Sequence, residues 1–579
     1  MTGGGESPFR TMKKFKFFVC SVLVLWALLG SCKNGSDSDG GNPDFPENLA
    51  EYVGDENYKS PKNVEISAET TKNQSDGLKD NWWRETSFYH IWVKSFADSD
   101  GDGCGDFKGI ESKLDYIKND LGCSGIWLSP IFECDYKSKS KRENMHGYDV
   151  KDYYTVNSCF GTENDLISLI NACHEKDIKI IFDFVPNHTG KGNAWFTDSC
   201  AGTNGKKDWY LWSDTKLSWN PGMGSSDTWH KNPGGNDFYY AAFWEGQPDL
   251  NFRNYEVREE MKNVVRYWLN KGFDGLRVDA VRYLIETNDS KYDTDETHGW
   301  FSELRSEVID AYKDISPKFM TCEAWITGNR SQLEKYFGTD EKPEFNMVFD
   351  FDQGYGIVDC IWEYDASYLS SSLRKNPSKT KSYGTFLGNH DNYIDRLGTV
   401  FGYEAQIKAA TAMSLLRPTV PFIYYGQEIG MKDNTSYGTG DIRHRTDLDW
   451  SEVEKQKTNP SSILNLNKTI LTLRKTYPNL FADGKVEFLK SCTVDANENP
   501  LNTVAAYTIS DGKDSLLCVQ SLINYGDYDF WFENSSLVDV SNYSVLIGDG
   551  ANKLSFEKGA LKVESLAPYE TRVYYLGTR

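Results

Sequence analysis

Acidic residues follow three short apolar segments of this sequence, in a pattern that could bring carboxyl groups together. Asp279 follows residues 275–278, Glu323 closes the segment that begins at 319, and Asp391 follows 383–387. Two facing carboxyl groups can cleave a glycosidic bond, because one protonates the leaving oxygen while the other attacks or activates water. These three acids are therefore the candidate catalytic residues.

The neighbours of two of these acids indicate different roles. Arg277 lies two residues before Asp279, and a nearby cation favours the ionised form of a carboxyl group, which suits a nucleophile. Glu323 stands among Cys322, Ala324 and Trp325. Because apolar surroundings raise the pKa of a carboxyl group, this acid is suited to proton transfer.

The residues that must position these acids form a repeating pattern of strands and helices. Eight short apolar segments alternate with helical stretches between about residues 85 and 430. The predicted strands are residues 88–93, 125–128, 178–184, 275–278, 319–321, 347–351, 383–387 and 422–425. This alternation predicts an α/β fold, a (β/α)8 TIM barrel. The carboxyl ends of its strands would meet at one mouth, where the candidate residues would converge.

Two further regions interrupt or follow the predicted barrel, which then comprises residues 81–188 and 252–482. The interval 189–251 is too long for a loop and is rich in Trp, Gly, Asn and Asp, so we expect an irregular inserted domain after strand three. Residues 483–579 show alternating strands with Gly, Asp and Asn turns, which predicts a C-terminal all-β sandwich.

The N-terminal segment has the features of an export signal. A positive segment starts at Met12, an apolar run covers 15–29, and Leu-Gly-Ser-Cys ends at Cys32. That ending resembles a bacterial lipoprotein signal, which implies cleavage before Cys32 and lipid on its thiol. Residues 33–80 are polar and predict a flexible tether. We therefore expect an exported protein, anchored through Cys32 alone at the periplasmic face or cell surface. A transmembrane anchor is the alternative.

Charge and cysteine spacing exclude other classes. The formal net charge of -22 disfavours nucleic acid, whose phosphates demand a basic surface. The twelve cysteines include no CxxC pair, so a zinc site is not expected. An uncharged substrate fits the acidic composition.

Four ordered strings resemble the signature regions of the α-amylase family, glycoside hydrolase family thirteen. They are DFVPNH at 183–188, GLRVDAVRY at 275–283, TCEAW at 321–325 and FLGNHD at 386–391. Further matches are HGYD at 146–149, QPDLN at 247–251 and VPFIYYGQE at 420–428. The matches lie near the oligo-1,6-glucosidase and neopullulanase branch. The family implies a retaining mechanism with Asp279 as nucleophile, Glu323 as acid/base and Asp391 as the third acid, which grips hydroxyl groups of the distorted sugar.

The same resemblance implies substrate-binding roles for five other residues. Arg277 would orient the nucleophile, while His188 and His390 would bind hydroxyl groups at the cleavage subsite. Tyr148 would stack on the sugar bound there. Arg282 stands where the family usually has a lysine that touches the leaving-group sugars, and could serve the same purpose.

An acidic loop after the first predicted strand has the character of a calcium site. Its sequence DSDGDGCGD, at 98–106, alternates carboxylates with turn-forming glycines and resembles the first part of an EF-hand loop. It also resembles the calcium loop of the branch named above. The implied ligands of a structural Ca2+ are Asp98, Asp100, Asp102, Asp106 and the carbonyl of Cys104. A solvated acidic turn is the alternative.

Two positions bear on specificity. Exo-acting α-glucosidases of that branch carry an aspartate where this chain has Met145, and α-1,6 specialists typically carry a valine where it has Ala280. Both differences favour an amylase-like enzyme that cleaves α-1,4 bonds of starch and maltooligosaccharides. An exo-acting α-glucosidase or oligo-1,6-glucosidase and a 4-α-glucanotransferase remain alternatives. Because all three acids are present, a non-catalytic glycan-binding lipoprotein is disfavoured.

Overall fold

The computed structural model describes most of the chain after residue 45. The described residues are 46–67, 80–138, 140, 143, 145–222, 227–373, 375–391, 393–494, 501–533, 538, 542–548 and 553–578, and they belong to one compact unit. The predicted signal and the lipid-bearing Cys32 lie outside them. Within these ranges, no helix is both long and apolar enough to cross a membrane.

Eight parallel strands close into a barrel, and neighbours in the barrel follow chain order. The strands, numbered β1 to β8, are Phe88–Ile91, Gly125–Leu128, Lys179–Phe184, Gly275–Val278, Phe319–Cys322, Met347–Phe349, Ser382–Thr385 and Val420–Tyr424. Pairing of β1 with both β2 and β8 closes the ring. The predicted TIM barrel is confirmed, and each predicted segment overlaps one strand. Their apolar runs are continuous because a parallel sheet is buried on both faces.

Helices cover the outside of the barrel and fill the connections. They are Val93–Phe96, Phe107–Ser112, Glu163–Glu175, Ala194–Ala201, Tyr255–Asn270, Asp295–Leu304, Arg330–Glu334, Phe351–Glu363, Ser367–Ser372, Leu397–Val400, Glu404–Leu415, Trp450–Lys457, Ile463–Thr476 and Pro478–Asp483. The helix Glu163–Glu175 starts at a reciprocal capping box between Thr162 and Asp165, which satisfies backbone groups that a helix start leaves free.

The predicted insertion after β3 contains a small sheet and a helix. Its antiparallel strands are Trp212–Ser213, Trp229–Lys231 and Phe238–Tyr240, with the last one central. Trp219, Trp229 and Tyr240 pack edge to face in a separate apolar cluster. Many aromatic residues of this insertion are therefore its own core.

The C-terminal region is a pair of antiparallel sheets, as predicted. One contains Lys485–Phe488, Val504–Ser510, Asp514–Ser521, Ser544–Ile547 and Thr571–Thr578, and the other contains Tyr528–Glu533, Leu554–Glu557 and Ala560–Leu566. Within Asp514–Ser521, Leu517 and Val519 belong to the core of this region, whereas Leu516 and Cys518 belong to the core that includes the barrel. Because strand side chains alternate between faces, this strand joins both cores.

The prediction of a flexible tether over 33–80 is wrong for residues 46–67. This stretch is bound to the helix Tyr255–Asn270: the hydroxyl groups of Tyr58 and Ser60 donate to the buried carboxylate of Glu260, at 3.0 and 3.1 Å. The backbone N–H of Val64 donates to Asn263 Oδ1 at 2.8 Å. A polar composition concealed this packing because many of its anchors are hydrogen bonds, although Leu49, Tyr58 and Ile66 also make apolar contacts.

Candidate active site

One buried guanidinium group gathers three carboxyl groups at the mouth of the barrel. Arg277 in β4 is 1% exposed and contacts Asp183 at 2.6 Å, Asp279 at 2.8 Å and Glu323 at 2.8 Å. The register accounts for this arrangement, since Arg277 pairs with Asp183 of β3 and with Thr321 of β5. The structure thus brings together residues that the sequence places far apart.

Backbone bonds fix the two predicted catalytic acids just beyond their strands. The N–H of Asp279 donates to Phe184 O at 2.8 Å, and that of Glu323 donates to Val278 O at 2.9 Å. Ala280, the next residue after Asp279, has φ +50° and points its N–H toward Glu323 Oε2 at 3.4 Å. Left-handed backbone is uncommon outside glycine and collects at functional sites.

Burial sets the protonation of these acids. It raises the pKa of Glu323 to about 8; Arg277 opposes the shift, and the charges of Asp279 and Asp391 add to it. Burial also raises the pKa of Asp279 to about 7 although Arg277 lowers it. The expectation that Arg277 keeps Asp279 readily ionised is therefore wrong, because desolvation is the larger effect. At neutral pH Glu323 holds a proton, as a proton donor must.

Tyr148 and His390 form a hydrogen-bonded pair beside the acids. The Oη of Tyr148 lies 2.6 Å from His390 Nε2 and donates to Asp183 Oδ2 at 3.1 Å. The two rings are stacked with centroids 5.5 Å apart. Burial holds the pKa of His390 well below its ordinary value, so this imidazole is neutral and offers one donor and one acceptor.

His188 and His390 each have a buried ring nitrogen with no hydrogen-bond partner among the described residues. These nitrogens are Nε2 of His188 and Nδ1 of His390. Burial lowers the pKa of His188 to about 3, so its ring is also neutral. Since buried polar atoms are normally satisfied, these nitrogens are suited to bind hydroxyl groups of a substrate.

The sequence did not reveal Arg445, which holds the third acid. Its Nη2 lies 3.1 Å from Asp391, its Nε donates to the carbonyl of His390 at 2.9 Å, and its guanidinium lies 4.6 Å from the ring of Trp92. Arg445 belongs to the segment after β8 and not to a strand end, so the strand-end rule could not find it. Asp441 also pairs with it, at 3.3 Å.

The part of the sequence that builds this site matches a known protein family. Residues 90–459 match the model of the alpha amylase catalytic domain. The chain belongs to the α-amylase family.

Relatives within this family carry several names. Alpha-amylase 3 of Dictyoglomus thermophilum is 32% identical over 488 residues, which cover 79% of this chain and 88% of that protein. The oligo-1,6-glucosidase of Bacillus cereus is 26% identical, with 86% of this chain and all of that protein covered. Among solved structures, the alpha-amylase from H. orenii has a TM-score of 0.70 and 28% identity, covering 85% of this chain and 99% of that one. These relatives carry the names of enzymes with different specificities, so the family is established and the exact substrate is not.

Met145, which carries a specificity argument, and Arg282, which has an expected substrate-binding role, both have internal partners in this α-amylase family member. Met145 is buried, and Asn157 Nδ2 lies 3.8 Å from its sulfur. Arg282 donates to both carboxylate oxygens of Asp293, at 2.9 and 2.6 Å, and to the carbonyl of Trp325 at 3.0 Å. Arg282 is therefore fixed by internal partners beside the site.

The acidic loop brings three of its predicted ligands together. Oxygens of Asp98, Asp100 and Asp106 lie within 4.8 Å of one another, an oxygen set that fits a hard cation such as Ca2+. Asp102 is outside this set of three, and one of its oxygens accepts the N–H of Cys104 at 2.9 Å. One oxygen of Asp106, Oδ1, accepts the N–H of Gly109 at 2.7 Å and so caps the helix Phe107–Ser112.

Proposed function

We propose that this enzyme hydrolyses α-1,4-glucosidic bonds of starch and maltooligosaccharides with retention of anomeric configuration. The observation that carries the proposal is the pair of Asp279 and Glu323 at the barrel mouth, both of which contact the buried Arg277 at 2.8 Å. Retaining glycosidases hold their two carboxyl groups close, whereas inverting ones leave room for a water molecule between them.

The proposed first step transfers the sugar to the protein. Glu323 gives its proton to the glycosidic oxygen while a carboxylate oxygen of Asp279 attacks the anomeric carbon. The bond from that carbon to the leaving oxygen breaks, and the leaving sugar departs with a new hydroxyl group. A glycosyl ester on Asp279 remains.

The second step reverses these roles. Glu323, now a carboxylate, accepts a proton from water as the water oxygen attacks the anomeric carbon. The ester bond to Asp279 breaks and the site is restored. In this proposal His188, His390 and Asp391 hold hydroxyl groups of the reacting sugar, and Tyr148 stacks on its ring.

The α-1,4 and internal-cleavage preferences rest on Met145 and Ala280. A thioether cannot supply the acceptor bonds by which a carboxylate would hold the terminal glucose of an exo substrate, and Met145 is packed inward. One observation favours the exo-acting alternative: Asp441 lies against Arg445, which in turn holds Asp391. An acidic group therefore approaches this end of the site from the loop after β8.

We further propose that the loop 98–106 binds a structural Ca2+ through Asp98, Asp100 and Asp106, with Asp102 and the Cys104 carbonyl completing the site. The three converged carboxylates support this proposal. Export and lipid anchoring at Cys32 remain a proposal from the sequence. Mass spectrometry of the N-terminal peptide from membranes tests it, since an unmodified Cys32 contradicts the anchor.

A product profile tests the proposed activity. We expect short maltooligosaccharides from starch and maltoheptaose, with little hydrolysis of isomaltose. Pullulan adds a substrate that contains both α-1,4 and α-1,6 bonds. Asp279→Asn serves as the matched inactive control. Isomaltose cleavage faster than maltoheptaose cleavage would assign the enzyme to the oligo-1,6-glucosidase alternative, and disproportionation without net hydrolysis would assign it to the glucanotransferase alternative.

A further inference from the structure

Two cysteine thiols meet beside the acidic loop 98–106. Cys104 lies in that loop and is 1% exposed, whereas Cys159 follows the strand Val150–Val156 and is partly exposed. Both are free thiols in this structure, and their side chains are in hydrogen-bonding contact with each other. Neither cysteine takes part in the proposed catalytic steps.

Backbone contacts hold the two cysteines opposite each other. Phe107, three residues after Cys104, donates its backbone N–H to the carbonyl of Phe160 at 3.0 Å, and the rings of these two residues meet edge to face with centroids 6.0 Å apart. The N–H of Cys159 donates to Oδ1 of the buried Asn157 at 3.0 Å. The segments that carry the two thiols are therefore joined next to the thiols themselves.

The residue after Cys104 restrains the position of its thiol. Gly105 donates its N–H to the carbonyl of Lys94 at 2.6 Å, and a Cβ at this glycine would lie 2.2 Å from the carbonyl oxygen of Val93. Only glycine therefore allows the loop to pack this closely on the segment after β1. The close approach keeps the Cys104 thiol beside Cys159, and such closeness is required for a disulfide because its sulfur and Cβ geometry is specific.

A third cysteine lies near this pair but has other partners. The thiol of Cys134 donates to the carbonyl of Tyr136 at 3.2 Å and accepts a hydrogen bond from Asn157 Nδ2 at 3.2 Å. Because the same Asn157 amide binds the backbone of Cys159, Cys134 is the competing partner in any oxidation of Cys159. Cys104 is favoured, since its thiol already contacts that of Cys159.

We propose that Cys104 and Cys159 are a modification site at which a disulfide forms and fixes the acidic loop to the segment 157–160. The oxidant is an external disulfide. The thiolate of Cys159, the more exposed partner, attacks one sulfur of that disulfide and displaces a thiol, which leaves a mixed disulfide on Cys159. The thiolate of Cys104 then attacks the Cys159 sulfur and displaces the second thiol. Two protein thiols are thus oxidised, one external disulfide is reduced, and the two cysteine protons pass to the thiols that leave.

The cross-link is independent of the proposed glycosidase reaction and would act on stability. It closes a loop of about 55 residues and so restricts the unfolded chain. The proposed export would bring the chain into a compartment that supplies oxidising disulfides. The oxidised protein should therefore melt at a temperature roughly 2–8 °C higher than the reduced protein.

Oxidation of the full chain with oxidised glutathione tests the site. Peptide mapping by mass spectrometry without reductant should show Cys104 linked to Cys159, and calorimetry of the oxidised and the reduced protein should show the difference in melting temperature. Cys104→Ser and Cys159→Ser should each lose both the linked peptide and this difference. Cys134→Ser is the matched control, because it removes the neighbouring thiol and should keep both. Each variant is compared only with itself, oxidised against reduced, so a general loss of stability does not affect the result.

Three results would overturn the proposal. A peptide that links Cys159 to Cys134 would assign the disulfide to the wrong pair, and glutathione retained on Cys159 would show that the Cys104 thiol does not reach it. A Cys104–Cys159 link that leaves the melting temperature unchanged would show that the cross-link does not fix the loop.

Discussion

Three carboxyl groups share one positive charge at the centre of the site, and this imbalance governs the chemistry of each residue there. Asp183, Asp279 and Glu323 all contact Arg277, and burial raises the pKa of each. A single guanidinium cannot compensate three buried negative charges. A proton held within the group is the physical consequence, and burial is the main cause of the raised pKa of Glu323.

Removal of either reacting carboxyl group should abolish turnover without unfolding the protein. We expect Asp279→Asn and Glu323→Gln to lower kcat by roughly 10³-fold or more, on the scale of a lost covalent or proton-transfer step. Their melting temperatures should stay the same or rise, since Asp279→Asn removes one of the crowded negative charges and Glu323→Gln replaces a protonated carboxyl group with a neutral amide. Turnover above about a tenth of wild type, with an unchanged melting temperature, would contradict the assigned roles.

The pH dependence follows from the same groups. Activity needs Asp279 ionised and Glu323 protonated. As pH falls below about 7, Asp279 gains a proton and kcat/KM should fall. As pH rises above about 8, Glu323 loses its proton and kcat/KM should fall again. A bell-shaped profile of kcat/KM on maltoheptaose between these limits is expected; an alkaline limb that begins below pH 6 would contradict this order.

At the residue scale, the sequence revealed the residues that stand at strand ends. Asp279, Glu323 and His390 come together because the strand register aligns those ends. Arg445 was missed because it lies in a long segment after β8. His90 and Trp127, whose rings stack at 3.5 Å beside His390, were missed because they lie within strands, where a ring is first interpreted as core.

At the scale of elements, the acidic loop 98–106 should respond to calcium. An ion that binds only the folded state stabilises it, by about 2.7 kcal/mol at a hundred times the Kd. Calorimetry should therefore show a higher melting temperature with calcium than with a chelator. The double variant Asp98→Asn/Asp100→Asn should lose this difference and retain activity. A wild-type melting temperature that is the same in both conditions would exclude the site.

Removal of residues 1–67 should destabilise the protein, whereas removal of 1–45 should not. The longer truncation deletes Tyr58 and Ser60, two donors to the buried Glu260. Loss of hydrogen bonds to a buried charged group costs about 1–3 kcal/mol, which in a chain of this length lowers the melting temperature by roughly 1–3 °C. Thermal unfolding of the two truncated proteins checks this, and equal melting temperatures would show that 46–67 contributes nothing.

The strands could be predicted because each is a short, fully buried apolar run, and such runs are typical of a parallel barrel. The packing of residues 46–67 could not be predicted from the sequence, because Glu260 and Asn263 on a distant helix supply its partners. The internal contacts of Arg282 were also beyond prediction, because they join the segments that follow β4 and β5.

At the scale of the whole molecule, the buried Met145 favours internal cleavage, because it supplies no carboxylate to hold a terminal glucose. We expect maltoheptaose to yield several oligomers from the start, chiefly of two to four glucose units, with free glucose a minor early product. Chromatography of the first few per cent of conversion checks this. Glucose and maltohexaose as the sole early products would support the exo-acting alternative and a clamp that includes Asp441.

The central claim is that Asp279 and Glu323 cleave α-1,4-glucosidic bonds by double displacement. Proton NMR of maltoheptaose hydrolysis tests it most directly, because the anomeric signals of the new reducing ends are resolved before mutarotation mixes them. Retention predicts that α-anomers accumulate first and β-anomers follow only as mutarotation proceeds. Initial release of β-anomers would contradict the account.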